Sequence, residues 1–336
     1  MDAKHGDLLV PRDLSSACTD GLVLVYLEAA DDTSMYYVGN PLFKEWFRVP
    51  LPPFLSLKDL ERLRLHERFK DTGLVTKMRS GIVVSSKVVF VMSHGRTKVG
   101  FSIYSSDTGK WENRNVTCPR HDCWFGQRKA IALNGILPWF SSLISSFMAY
   151  DFYGGNVDDG CRIISFPDSE KDDVLRRFRR TFTTSEGSIV YFNEYRENEN
   201  RTLRVWRLFK YTDGPEEAWQ LLWEVSLVSM IELLGIDYFP VVMHPLKSEI
   251  IYLWCMDKKG MVLFNLRTLA FCLHKENEDD SKCMDGCVLS FNRCRKYMEN
   301  ICGFFVPRFN RVPNPLLFSQ YVLPRWLHRL PRPPPT

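Results

Sequence analysis

Ten cysteines and seven histidines in 336 residues are the first place to look for chemistry. Cys283, Cys287, Cys294 and Cys302 fall near one another, with gaps of 3, 6 and 7 residues between them. Structural zinc needs tighter pairs, such as two cysteines separated by two residues, to bring two thiolates to one tetrahedral ion. Cys118, His121 and Cys123 form a second loose cluster of the same kind. Both read as ordinary thiols rather than a metal site. The other histidines are scattered, and His244, before Pro245 and after an apolar run, reads as a packed turn residue. The acidic pairs Asp31-Asp32, Asp158-Asp159, Asp172-Asp173 and Asp279-Asp280 sit in polar stretches. Acid–base work needs two carboxyls whose pKa values are pushed apart by burial, and these stretches look solvated. No nucleophile elbow, phosphate loop or paired-histidine helix motif occurs.

The densest basic cluster is Arg176, Arg177, Arg179 and Arg180. It reads as a solvated face, with a phosphate or nucleic-acid contact as the sharper alternative. The net charge of +4 comes from 44 basic and 40 acidic residues, well interleaved, so no strong cationic field steers a polyanion. The sequence thus nominates no catalytic, cofactor-binding or metal-binding residue and no cofactor. It predicts a protein that is not an enzyme and touches neither nucleic acid nor membrane. No apolar run approaches the ~18 residues that span a bilayer, and the polar start at Met1–Asp7 lacks a signal-peptide core. The expected location is the cytoplasm or nucleus, where the thiols stay reduced.

The elements that would hold any binding residues are strands. Aromatics make up 13% of the chain, which suits half-buried pleated surfaces. Short apolar runs recur between turn formers, among them Gly21–Leu27, Trp46–Val49, Ile82–Met92, Ile136–Phe140, Ser188–Phe192, Trp219–Val225 and Phe271–His274. Asp20-Gly21, Asn134-Gly135 and Glu186-Gly187 mark turns, and Ser85-Ser86 a turn or bulge. One helix is expected over Leu57–Phe69, ended by Asp71-Thr-Gly73. Three segments, Tyr37–Val49, Tyr104–Val116 and Tyr252–Leu273, share a strand, a polar turn and an aromatic-bearing strand. This pattern predicts an all-β fold, and the length favours a propeller. A repeat of ~40–50 residues per blade gives about six or seven blades with few short helices.

Several segments in order resemble the F-box-associated β-propeller domain of plant F-box proteins, a kelch-like type. They are Ser15–Leu22 (SSACTDGL), Tyr37–Trp46 (YVGNPLFKEW) with Gly39 where a Cys is usual, Tyr104–Trp111 (YSSDTGKW), and Leu133–Trp139 (LNGILPW) with Pro138 where an aromatic is common. Ala149–Phe152, Cys161–Ile164 with Pro167, Leu203–Trp206, Trp219 and His244-Pro245 follow. Tyr252–Trp254, Phe264–Arg267, Leu323–Trp326 and Leu330-Pro331 complete the set. The resemblance implies a short N-terminal segment over 1–13, a propeller over 14–330 and a proline-rich tail over 331–336. It also implies target recognition in an SCF-type ubiquitin-ligase pathway. Family members usually open with an F-box that docks on a Skp1-type adaptor. No such pattern is read before Leu14, which argues against direct adaptor docking. The alternatives are a propeller-based hydrolase such as a glycosidase, which would need buried paired acids, and a non-functional truncated member of the family.

Overall fold

The computed structural model describes residues 17–28, 34–53, 72–94, 98–117, 132–133, 135–140, 146–154, 161–168, 177–197, 200–209, 218–227, 238–255, 257–258, 260–274, 316–317 and 330–332. They form antiparallel sheets in chain order. Sheet 1 is β1 (Ala17–Thr19), β2 (Leu22–Glu28), β3 (Ser34–Asn40) and β4 (Glu45–Val49). Sheet 2 is β5 (Thr72–Arg79), β6 (Ile82–His94), β7 (Lys98–Ser105) and β8 (Lys110–Thr117). Sheet 3 is β9 (Ile136–Phe140), β10 (Ser146–Asp151) and β11 (Arg162–Ser165). Sheet 4 is β12 (Arg177–Ser185), β13 (Ser188–Glu197), β14 (Asn200–Leu208) and β15 (Trp219–Ser226). Sheet 5 is β16 (Tyr238–Met243), β17 (Ile250–Cys255), β18 (Gly260–Asn265) and β19 (Phe271–His274). A two-residue strand, β20 (Leu316–Leu317), runs parallel beside β12.

Each sheet is a meander because tight turns fix its register. Asp20 and Gly21, Ser80 and Gly81, and Glu186 and Gly187 all have positive φ, from 48° to 78°. Two successive positive φ values match the twist of the flanking strands. At the far hairpin of four sheets a polar side chain closes the turn on its own backbone. Asn40 Oδ1 accepts from Leu42 N, Asp151 Oδ1 from Tyr153 N and Gly154 N, and Asn265 Oδ1 from Arg267 N and Thr268 N. Ser105 Oγ accepts from Asp107 N in the same way. This recurring side-chain turn is the repeat that the sequence showed faintly.

The sheets pack face to face, neighbour on neighbour. Val38, Leu24, Val88 and Phe90 form a core between sheets 1 and 2. Phe101, Leu137, Met148 and Phe152 do so between sheets 2 and 3. Phe147, Phe166, Phe182 and Trp219 fill the seam between sheets 3 and 4, and Phe192, Leu203, Leu253 and Phe264 the seam between sheets 4 and 5. The molecule is an all-β propeller. Indole N–H groups stitch neighbours together: Trp111 donates to Pro50 O, Trp219 to Ser165 O and Trp223 to Ser248 O.

Two expectations change. The described residues form five sheets rather than six or seven blades. Dividing the length by one repeat assumed that every residue belongs to a blade, and 54–71 and 118–131 lie outside the described residues. No helical element occurs among the described residues, and the helix expected over Leu57–Phe69 lies outside them. Thr72-Gly73, read as its terminator, instead opens β5. A Cβ at Gly73 would overlap the Leu137 side chain of sheet 3, so this glycine serves the approach of two sheets rather than a helix end. At Ser85 the expected irregularity is a bulge: Lys77 faces Ser85 while Met78 faces Val83, leaving Val84 unpaired.

Candidate functional site

Two members of the arginine cluster, Arg179 and Arg180, do not lie on a solvated face. Arg180 is 1% exposed and Arg179 is 9% exposed. On β12, Arg180 shares a side with Phe182, so the strand alternation aims it into the seam with sheet 3. There its guanidinium lies over the rings of Phe166 and Tyr191, at 4.8 and 5.4 Å from their centroids. Arg180 Nη2 reaches Asp168 Oδ1 at 3.3 Å, and Arg180 Nε donates to the Tyr191 hydroxyl. That hydroxyl donates to Asp168 Oδ2 at 2.8 Å, and Asn193 Nδ2 donates to the same oxygen at 2.9 Å. Burial works against the Arg180 cation, but Tyr191 and Asp168 outweigh it and raise its pKa. Burial likewise drives the Tyr191 hydroxyl well above its usual range, so it stays protonated and can donate. Arg179 points the other way, toward the Tyr238 and Phe239 rings of sheet 5. Arg201 also lies over Tyr238, at 4.6 Å, and pairs with the buried Glu194. These charges bind one another, and Asp168, Arg180, Tyr191 and Asn193 are each 1% exposed or less, so no ligand reaches them. The cluster is a polar lock between sheets.

Among the described residues, the tight turns gather at one end of the molecule. Inter-sheet bonds align these turns on one side. Thr76 of β5 donates to Asp20 in the β1–β2 turn. Ser85 Oγ donates to Asp107 Oδ2 at 2.8 Å and lies 3.0 Å from Tyr153 OH, joining the turn ends of sheets 2 and 3. Lys87 Nζ donates to Phe152 O at 2.8 Å and sits 4.6 Å from the Tyr153 ring centroid. Burial lowers the Lys87 pKa and raises that of Tyr153. Ser185 Oγ donates to His244 O and Glu186 N to Pro245 O, joining sheets 4 and 5. His244 stacks on Tyr252 and accepts from Leu246 N through Nδ1, a packed turn residue.

Apolar side chains stand out at this end. Leu42, Phe43, Met78, Phe209, Leu246 and Leu269 are exposed by 37–65%. Each lies in a turn or at the strand residue beside it. Sequence reasoning nominated no binding residue, and the signal that could have found these was an apolar residue inside a turn-former run, as in Asn40-Pro-Leu-Phe and Asn265-Leu-Arg-Thr-Leu.

The other features singled out in the sequence fall elsewhere. Both cysteine clusters and the four acidic pairs lie outside the described residues, as does Arg176. Among the described residues no group of three or more His, Cys, Asp or Glu side chains could hold a metal ion. No described helix is long and apolar enough to cross a membrane.

Residues 7–332 match a family model described as F-box protein At3g26010-like, beta-propeller. The chain belongs to the At3g26010-like F-box β-propeller family. An Arabidopsis thaliana protein named "Putative F-box protein At3g23950" is 67% identical over 95% of this chain and 76% of its own length. "F-box protein At3g26010" of the same plant is 30% identical over 94% of this chain and 69% of its own length. Both coverages show the family propeller along nearly all of this chain. Among solved structures, the nidogen/laminin complex aligns over 77% of each chain at 9% identity with a TM-score of 0.33, a likeness too slight to carry any argument.

Proposed function

We propose that this family propeller is a protein-interaction module that recognises target proteins for an SCF-type ubiquitin-ligase pathway in the cytoplasm or nucleus, and that it catalyses nothing itself. Residues 14–330 act as the one recognition domain, and 331–336 as a proline-rich tail. Docking on a Skp1-type adaptor is not assigned to the propeller. The observation that carries the reading is the turn end: rigid hairpins on one side hold exposed apolar side chains such as Leu246 and Leu269. Exposed apolar groups on a rigid frame are what a partner surface needs. The buried charges of the sheet 3–4 seam, by contrast, are fully engaged with each other.

The test is proximity labelling in plant cells with the tagged chain, followed by measuring the labelled proteins' half-lives with and without the chain. Proteins that are labelled, bind the purified chain directly and decay more slowly in its absence support the reading. Direct binders with unchanged half-lives overturn the pathway assignment. Turnover of glycoside substrates by the purified chain overturns the non-enzymatic one.

A further inference from the structure

The turn end treats its two kinds of charge differently. Its carboxylates are spent on the turns themselves. Asp20 takes Thr76 Oγ1, Asp107 takes Ser85 Oγ, Asp151 takes two backbone N–H groups, Glu186 takes Ser248 N and Glu45 takes Leu330 N. Only Glu249 at this end has no such bond among the described residues. Apart from Lys87, which donates to Phe152 O, its cations are not spent that way. Lys44, Arg79, Lys110, Lys247 and Arg267 are exposed and have no ion pair among the described residues. Lys77 is exposed too, with its ammonium 5.8 Å from the Tyr153 ring centroid.

Position separates the signs further. The anchored acids sit at the turn bases, each with at least one oxygen taken by a donor of the protein. The cations ride on long stems at the tips, beside the exposed apolar residues: Lys44 next to Phe43, Arg79 next to Met78, Lys247 next to Leu246, and Arg267 two residues from Leu269. Leu42, Phe43, Met78, Leu246 and Leu269 thus each lie within two residues of a cation that has no ion pair among the described residues. The net charge of the face is near balance, so this is a local pairing rather than a broad cationic field.

Resting on the protein-interaction reading above, we infer that the turn end docks an extended acidic segment of a partner protein that carries aliphatic side chains between its carboxylates. The aliphatic groups would cover Leu42, Phe43, Met78, Leu246 and Leu269, while the carboxylates meet the flanking cations. Neither part alone suffices. Exposed ion pairs contribute little by themselves, and a purely apolar partner leaves the cations without partners. Complementary charge would also speed encounter and exclude basic segments.

The experiment uses the full chain and a fluorescein-labelled peptide of repeated Glu-Glu-Leu triads, read by anisotropy. Repeated Gln-Gln-Leu, repeated Glu-Glu-Ser and single-stranded DNA of equal charge are the comparisons. The inference expects the Glu-Glu-Leu peptide to bind at least about tenfold more tightly than each comparison. It expects binding to weaken about tenfold in the variant carrying Lys247→Glu and Arg267→Glu, and in the variant carrying Leu246→Ser and Leu269→Ser. Lys258→Glu, in the β17–β18 turn at the opposite end, should leave binding unchanged. All the altered side chains are exposed, and unchanged melting curves check that the variants fold. Equal binding of Glu-Glu-Ser or DNA would reduce the face to a generic anion surface and overturn the inference. So would a Glu-Glu-Leu affinity that the turn-end variants do not alter. If those variants still bind the cellular partners found by proximity labelling, partner recognition stands and this face is the wrong one.

Discussion

Two seams of this propeller are built on opposite principles. Between sheets 2 and 3 the buried core is apolar, with Phe101 stacked at 5.3 Å on Tyr150 and edge-on to Phe152 at 5.2 Å, over Leu137 and several valines, and the polar bonds of Ser85, Lys87 and Arg114 lie at its margins. Between sheets 3 and 4 an equally aromatic layer surrounds a buried ion pair, Arg180 and Asp168, with Tyr191 and Asn193 completing the carboxylate's bonds. Apolar contacts accept many relative positions of two sheets at similar energy. A carboxylate that must meet three donors accepts one. The contrast teaches that the second seam sets the register between sheets and the first supplies adhesion.

The hardest blow to that contrast is to remove half of the lock. Asp168→Ala leaves the Arg180 cation buried without its counter-charge, and the expected loss is roughly 3–5 kcal/mol of unfolding free energy. Chemical denaturation measures it. The sharper arm combines Asp168→Leu with Arg180→Met. That pair should recover part of the stability, because no unpaired charge stays buried, while Tyr191 and Asn193 each lose their acceptor on Asp168. A double variant as unstable as Asp168→Ala would show that the lock is worth more than its charges. In the apolar seam, Leu137→Ala should cost roughly 2–5 kcal/mol through lost burial and a cavity beside Gly73. A loss under about 1 kcal/mol would mean the seam collapses freely and contributes little adhesion.

Alkali probes both seams at once. The Cys161 thiol, buried in the sheet 2–3 core, is pushed up to about 12 by burial. The Tyr153 and Tyr191 hydroxyls are raised by the same cause. These groups keep their protons in the folded state when the unfolded chain has lost them. The folded protein therefore binds more protons above the ordinary thiol value of 9.0, and stability falls as pH rises from there toward about 12. Urea midpoints at pH 7, 9 and 11 test this, with Cys161→Ala expected to flatten the decline. A midpoint that rises with pH would contradict it.

The smallest effect lies at Gly39, where the family resemblance expects Cys. A Cβ there would overlap the Trp46 ring, which stacks across from it on β4. Trp46 is 38% exposed and can swing outward, so Gly39→Ala should cost only about 1 kcal/mol. Its signature is a red-shifted indole emission. An unchanged spectrum would mean the indole stays in place.

Much of this fold was legible because its signals are local. Ile136–Phe140 and Phe271–His274 are strands with the bounds the sequence predicts, and turns stand at Asp20-Gly21 and Glu186-Gly187, where it places them. Gly73 was misread because its reason is Leu137, sixty-four residues away on another sheet. Arg180 was misread for the same kind of reason. Four arginines in five residues look solvated, and only Asp168 on the neighbouring sheet makes burial tolerable. Alternation with Phe182 was the one local hint that Arg180 points inward. The turn end escaped notice because exposure of an apolar residue is decided by what the rest of the chain leaves uncovered.

The bond from Leu330 N to Glu45 Oε2 joins residues 285 apart, and β20 reaches back to β12, while β1–β19 pair and pack with neighbours in sequence. During translation the sheets can therefore stack one after another as they leave the ribosome. The flank of the first sheet that receives Leu330 stays bare until synthesis is nearly finished. Until then that flank and the β12 edge that β20 covers both wait uncovered, and those two places are where chaperones would need to stand guard.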